Sequence, residues 1–270
     1  RRKIAIIGGS GVYNPEALQG FEKKIIDTPY GQALVNVGML CGNQVAFITR
    51  HGVGHSVPPH KINYRANMWA LKSLGTEEIL ATTAVGSLNP EMTAGHFVVC
   101  SDLLDFTKGR INTFFDGERL PVGHADFTHP YCEKVREKII NCLKEMDITY
   151  HTHGCYVCAE GPRFETAAEV RMYASFGGDV VGMTNCPESI LAREAEMHYS
   201  TVSIVTNMGA GISKTPLSHQ EVIDAMALSI KKMEALISAF IAYDKEAEAE
   251  CTCANCMKEF GGFKLEGMAK

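Results

Sequence analysis

The first apolar run of the chain, Lys3 to Ile7, leads directly into Gly8-Gly9-Ser10-Gly11. A glycine-rich turn at a strand end lets backbone N–H groups approach an anion, and the Ser10 hydroxyl adds a further donor. The turn lacks the Lys-Ser/Thr ending of a nucleotide triphosphate loop and the full GxGxxG spacing of a dinucleotide site. Its glycines are explained equally well by the torsions of a tight turn. A second anion-suited pair, Arg50-His51, follows the strand-like Val45 to Thr49. A guanidinium fork beside an imidazole suits a phosphate dianion, since its charge persists at every physiological pH; the alternative is a solvated surface pair. Thr83-Ala84-Val85-Gly86-Ser87 and Thr184 close two further strand-like runs, Glu78 to Thr83 and Asp179 to Met183. Ligands of α/β sheets gather at strand ends. These four turns together describe one phosphate pocket without a metal, built from Ser10, Arg50, His51, Thr83, Ala84 and Thr184.

Missing motifs narrow the chemistry. The chain has no HExxH, no DxD cluster, no GxSxG and no Walker lysine, which disfavours zinc hydrolysis, metal-assisted phosphoryl transfer and serine acyl chemistry. Phosphate acting as the nucleophile needs no activated side chain. It is already an anion and requires only positioning beside an electron-poor carbon.

The elements that would position these residues alternate between short β-rich runs and helix-period runs, the pattern of an α/β layer fold with a central sheet. Further strands are expected at Ala33 to Val37, His96 to Ser101, Cys155 to Ala159 and Thr201 to Thr206. Helices are expected at Asn63 to Leu74, Pro130 to Met146, Thr166 to Phe176 and Ser218 to Tyr243. Capping-box patterns, Thr166 with Glu169 and Ser218 with Glu221, fix two helix starts and put Glu165 and His219 at helix entrances. Arg50 to Lys61 and Lys108 to Thr128 read as long loops, a length that points to functional or interfacial use. With no internal repeat and no linker, one domain is expected over 1–245, followed by a cysteine-containing tail over 246–270.

At 270 residues, 46% hydrophobic and 21% charged, the chain has the composition of a soluble globular protein. A formal net charge of −5 argues against a nucleic-acid partner. No apolar run reaches the roughly 18 residues of a membrane span, and Ile4 to Ile7 is too short for a signal peptide, so a cytoplasmic location is expected. Of ten cysteines, Cys41, Cys100, Cys142 and Cys186 read as small core hydrophobes. Cys155 and Cys158 have CxxC spacing in a strand, where positions three apart face opposite ways. Cys251, Cys253 and Cys256 crowd the tail. A CxC disulfide, a bridge to another subunit or adventitious metal binding are open there, and a four-ligand zinc site lacks a fourth cysteine nearby in the sequence.

Three segments carry a resemblance: Glu160-Gly161-Pro162-Arg163-Phe164-Glu165-Thr166, Gly182-Met183-Thr184 with Pro187-Glu188, and Asn63-Tyr64-Arg65-Ala66-Asn67 with Trp69-Ala70-Leu71. They are similar to the trimer-type purine nucleoside phosphorylase and methylthioadenosine phosphorylase family, over roughly Ile4 to Tyr243. The resemblance implies a mixed, distorted central β-sheet flanked by helices, and trimers or dimers of trimers with an active site shared across subunits. It implies inorganic phosphate as co-substrate and no cofactor. Ser10, Arg50, His51, Ala84 and Thr184 would hold phosphate, with His51 also counted among the catalytic residues, and Met183 would pack against ribose.

For the base, Thr206-Asn207-Met208-Gly209 stands where the 6-aminopurine branch carries an aspartate pair, and Glu165 where that branch has serine. Both resemble the 6-oxopurine branch, which implies phosphorolysis of inosine and guanosine with Asn207 and Glu165 as catalytic and base-binding residues. A carboxylate accepts the ring N–H at position 1, and an asparagine amide serves the 6-oxo oxygen and position 7. At the 5′ end the signals conflict. His124, in Gly123-His124-Ala125-Asp126-Phe127, resembles methylthio-specific members, whereas His219, in Pro216-Leu217-Ser218-His219, resembles hydroxyl-specific ones or is a plain helix-entry residue. Methylthioinosine or methylthioadenosine phosphorylase, and a nucleoside-binding sensor without turnover, are the alternatives.

Overall fold

The computed structural model describes residues 2–9, 12, 19–212 and 219–266, the side chains of 219–225 excepted. In chain order the described strands begin with β1 (Lys3–Gly8), β2 (Gln19–Thr28), β3 (Gly31–Leu40), β4 (Asn43–Thr49) and β5 (Glu78–Ser87). They continue with β6 (Phe97–Val99), β7 (Asp102–Phe106), β8 (Tyr150–His151), β9 (Cys155–Ala159), β10 (Val180–Gly182) and β11 (His198–Met208). The helices are α1 (Tyr64–Ser73), α2 (Glu133–Lys144), α3 (Ala167–Ser175), α4 (Asn185–Glu194) and α5 (His219–Ala242).

The strands form one mixed sheet in the order β2-β3-β4-β1-β5-β10-β9-β7, with β11 on β5 and then β6 and β8. This is the distorted α/β sheet that the resemblance implies. β1 is apolar on both faces, as a strand buried in a parallel array must be. Ala5, Ile7, Ala46, Ile48 and Ala81 face the layer of α1 and α4, and Ile4, Ile6, Val45, Phe47 and Leu80 face that of α2 and α5. Full burial of each Ile or Leu stabilises by on the order of 1.5–3 kcal/mol.

The sheet is irregular at its centre. β11 runs parallel to β5 along one edge from Glu78 to Ser87. The other edge is divided: β1 pairs with β5 as far as Ala81, and β10 takes over, antiparallel, at Gly86 and Ser87. Between them, among the described residues, no strand pairs with Thr82 to Val85 on that side. Leu88 donates its N–H to Asp179 O toward β10, and Ser87 O accepts from Gly209 N–H toward β11. Successive residues of a strand turn their backbone groups to opposite edges. The even-numbered residues Thr82 and Ala84 therefore present theirs to the opening.

One of the two expected capping boxes is made, and α1 gains a cap the sequence reading did not mark. Thr166 Oγ1 accepts from Glu169 N–H at 3.1 Å while Glu169 Oε1 accepts from Thr166 N–H at 2.9 Å, and Asn63 Oδ1 accepts from Ala66 N–H at 3.1 Å to start α1. The Ser218 and Glu221 pair lies outside the described residues. α4 has no counterpart in the sequence reading, because Glu188, Ser189, Arg193 and Glu194 are buried and the helix shows no polar outer face. β2 was likewise unmarked, being an exposed edge strand rich in charge. Cys41 is not a core residue. It is exposed, with φ 50° beside Gly42 at φ 74°, in the two-residue turn joining β3 to β4, where positive φ at both positions suits the twist of a hairpin.

Beyond α5, Cys253 and Met257 of the tail are fully buried within the two main apolar clusters. The loop over 108–128 contains no helix or strand, as its composition indicates.

Candidate active site

Arg50 follows β4 and is 3% exposed, which excludes a solvated surface pair. Its Nε and Nη2 donate to Glu188 Oε2 and Oε1 at 2.6 and 2.7 Å, and Nη1 donates to Thr82 O at 2.9 Å. Tyr199 Oη donates to Glu188 Oε1 at 2.8 Å, completing the carboxylate's set. Burial alone would weaken the guanidinium's hold on its proton, but the Glu188 charge and hydrogen bonds outweigh this, and Arg50 stays cationic. The fork that the sequence offers to phosphate is thus taken by Glu188. Nη1, which keeps one N–H beyond its bond to Thr82 O, stands 3.3 Å from where a Cβ on Gly9 would lie.

The same contacts draw the strand-end turns together. Gly9 N–H donates to Thr82 Oγ1 at 2.9 Å, so the glycine turn is fastened at the β5 opening; Ser10 itself lies outside the described residues. Glu188 sits one turn into α4, which Thr184 opens, so one ion pair ties the Thr184 turn to the Arg50 turn. Thr184 is buried, makes no capping bond with its side chain, and donates its N–H to Tyr156 Oη at 3.3 Å. Ala84 presents its N–H to the opening by the alternation described above. Thr83 Oγ1 lies 2.7 Å from Ser203 Oγ, a hydroxyl pair that can turn one proton toward a neighbouring anion.

His51 places Nδ1 3.0 Å from Val57 O. A carbonyl only accepts, so Nδ1 carries the proton and Nε2 of the neutral ring is an acceptor. Burial lowers the pKa of His51, the Val57 bond partly opposing this. An Nε2 acceptor is suited to the one O–H of a monohydrogen phosphate.

Farther along the sheet, Asn207 pairs with Gly86 across a bulge, four residues beyond Ser203 and so about 13 Å along β11. Its Oδ1 accepts from Thr206 Oγ1 at 2.6 Å and its Nδ2 donates to Met208 O at 3.0 Å. The second amide proton and the second lone pair of Oδ1 remain for a ligand. A Cβ on Gly209 would meet Val170 at 3.1 Å and one on Gly211 would meet Ala167 at 3.0 Å. The segment after Asn207 thus rests on the first turns of α3, directly behind Glu165. Burial raises the pKa of Glu165 above the usual carboxylate value. Neighbouring Glu169 is held down to about 2 by its hydrogen bonds to Arg163, so its charge persists beside Glu165.

Met183 lies between the two ends. β10 runs antiparallel to β5 with Val181 opposite Gly86, so the chain leaving β10 heads back toward Thr82 and Thr83. Arg110, unmarked in the sequence apart from its place in a long glycine-containing loop, holds this corner. Its Nη1 donates to Met183 O and Cys186 O at 2.6 and 2.7 Å, and its Nε to Glu160 Oε1 at 2.6 Å. Thr82 and Glu188 also went unassigned, although Glu188 belongs to one of the segments that carry the resemblance. His124 is exposed, its ring 6.2 Å from that of Phe260 in the tail. No hydrogen bond or ring contact among the described residues joins it to Glu165, Met183 or Asn207. The side chain of His219 lies outside the described residues.

A 6-oxopurine nucleoside phosphorylase of Pyrococcus furiosus is 51% identical over 261 residues, spanning 95% of this chain and 98% of that protein. An S-methyl-5′-thioadenosine phosphorylase of Thermofilum pendens is 43% identical over 259 residues, with coverages of 95% and 97%. Among solved structures, a methylthioadenosine phosphorylase sourced from an antarctic soil metagenomic library is similar at a TM-score of 0.87 and 33% identity, covering 96% of this chain and 92% of that one. Residues 3–242 match the Phosphorylase superfamily, and the chain belongs to that family.

Proposed function

We propose that the chain is a purine nucleoside phosphorylase, a pentosyltransferase that cleaves inosine and guanosine with inorganic phosphate to the free base and ribose 1-phosphate. The opening in the β5 ladder supports this most directly. Arg50, the Gly9 turn and the head of α4 are bound to one another around Thr82 there, and the Ala84 N–H faces the same space. Phosphate is held by Arg50 Nη1, the Ala84 N–H and the hydroxyls of Ser10, Thr83 and Thr184, with His51 Nε2 accepting its proton. One phosphate oxygen forms a bond to the anomeric carbon as the bond to N9 of the base breaks, through a loose, oxocarbenium-like transition state. The electron pair moves into the purine. Asn207 donates to the 6-oxo oxygen as charge grows there, the departing base takes a proton from solvent at position 7 whose N–H Asn207 Oδ1 accepts, and Glu165 accepts from N–H at position 1. Met183 packs on the ribose. Adenosine offers Glu165 no ring proton, and a buried polar group left unpaired discriminates by orders of magnitude.

The active protein is further proposed to be a cytoplasmic homo-oligomer, a trimer or dimer of trimers. The exposed side chains of Ile111, Val122, Phe164 and Phe176 support an interface, and Phe164 adjoins Glu165.

Release of ribose 1-phosphate is the direct test, measured with inosine, guanosine, adenosine and the methylthio analogues of inosine and adenosine. Inosine and guanosine are expected to react only when phosphate is present, and adenosine at least about 10²-fold less efficiently. Preference for a methylthio substrate would reassign the 5′ pocket, and no product from any of them would leave a binding protein.

A further inference from the structure

The fold supplies the ligands that the cysteine tail lacks in the sequence. Cys132 stands at the start of α2, His198 opens β11, and Cys251 and Cys253 belong to the tail. The four ligand atoms all lie within 4.8 Å of one another. His198 Nδ1 is 3.4 Å from Cys132 Sγ and 3.3 Å from Cys251 Sγ. A tetrahedral zinc with Zn–S of about 2.3 Å and Zn–N of about 2.0–2.1 Å requires S···S edges of about 3.8 Å and S···N edges of about 3.6 Å. The two S···N distances are close to such edges and every other pair lies within 4.8 Å, with Cys132 and Cys253 buried. We propose that Cys132, His198, Cys251 and Cys253 bind one Zn2+ per chain.

Three sulfurs and an imidazole select a soft or borderline cation over magnesium or calcium. Four protein ligands leave no open position, which makes the site structural. It lies far from the base end, since His198 and Asn207 are nine strand residues, about 30 Å, apart on β11, while the neighbouring Tyr199 bonds Glu188. On binding, the three thiols release their protons to solvent and no electrons are transferred.

The metal would fasten the tail to the sheet, and the tail supports the loop over 108–128. Phe263 packs edge-on against Phe114 at 5.1 Å, and a Cβ on Gly123 would meet Met257 and Phe260 at 3.0 Å. That loop carries Arg110, which holds Met183. Loss of the metal should therefore loosen the loop that carries Arg110 and, through it, the hold on Met183.

The test is metal analysis of the full-length protein, purified with zinc and a reductant and then passed through a desalting column. About one zinc per chain is expected. Cys253→Ser should lower this at least tenfold and reduce thermal stability, while Cys256→Ser, whose thiol instead donates to Arg193 O, should retain it. Should Cys253→Ser fail to fold, the unaltered protein loaded with Co2+ should show the intense visible bands of a tetrahedral thiolate site. Zinc absent from the reduced, zinc-exposed protein would overturn the proposal. So would mass spectrometry showing Cys251–Cys253, or Cys132 with a tail cysteine, joined as a disulfide in protein that binds no metal.

Discussion

Removing the Glu188 carboxylate tests the phosphate end of the site more sharply than removing any phosphate ligand. Glu188 and Arg50 have side chains only 2% and 1% exposed, and the carboxylate accepts three bonds, from Arg50 Nε, Arg50 Nη2 and Tyr199 Oη. In Glu188→Ala the guanidinium stays buried and charged without a counterion, which costs about 3–5 kcal/mol. In a chain of this size each kcal/mol moves Tm by roughly 2–4 °C, so a fall on the order of 10 °C is expected. The bare fork is also free to swing away from the Gly9 turn, and kcat/KM for phosphate should fall by about 10²-fold or more. Stability and phosphate use can then be separated with Arg50→Met combined with Glu188→Leu, since an apolar replacement of a buried pair is often neutral or better. That double variant should melt near the parent and lack phosphorolysis. Thermal melts with and without phosphate, and initial rates at varied phosphate, provide the readings. If Glu188→Ala melted within about 3 °C of the parent and its KM for phosphate were unchanged, the aiming role given to Glu188 would be wrong.

Asn207→Ala should lower kcat/KM for inosine by about 10²-fold, the scale of one oriented transition-state donor, and a parental rate would exclude Asn207 from leaving-group stabilisation. Glu165 must be ionised to accept the N–H at position 1, and burial raises its pKa. KM for inosine should therefore rise as pH falls through that raised value, with the protonated form gaining weight on the acid side, whereas Glu165→Gln should show a flat profile over the same range. Gly9→Ala would set its Cβ 2.6 Å from Thr82 O and 3.3 Å from Arg50 Nη1. The turn must then withdraw from the opening, raising KM for phosphate while KM for the nucleoside holds; equal change in both would place the turn elsewhere in the reaction.

Features set by neighbouring residues in the chain were the ones legible in the sequence. A strand running into glycines, Arg50 beside His51, and a capping box behind Glu165 are local patterns, and each lies where the reading put it. The organising residues were not legible, because their roles exist only after folding. Glu188 is a carboxylate on a helix without an apolar stripe, and nothing near it in the chain names Arg50 as its partner, 138 positions away. Arg110 reads as one more charge in a glycine-containing loop until its guanidinium is seen to bind carbonyls from two other segments. The opening in β5 is similarly a property of the sheet. It depends on where β1 ends and β10 begins, and no window of sequence holds both.

The two ends of the site are built on different physical terms. At the proposed phosphate end the partners are buried and bonded to one another, so the fold itself holds the donors in place. At the proposed base end Asn207 is bonded to its own chain neighbours and Glu165 is partly buried. A charge common to every substrate favours a fixed site, whereas the purine is distinguished by one or two hydrogen bonds that side chains outside the buried core can alter. On the proposed assignment, specificity can diverge through positions such as Glu165 and Asn207 while the β5 opening and its Arg50–Glu188 pair stay constant. Exchanging those two residues for a serine and an aspartate should shift base preference and leave KM for phosphate unaltered, because neither residue touches the bonds that hold the phosphate end together.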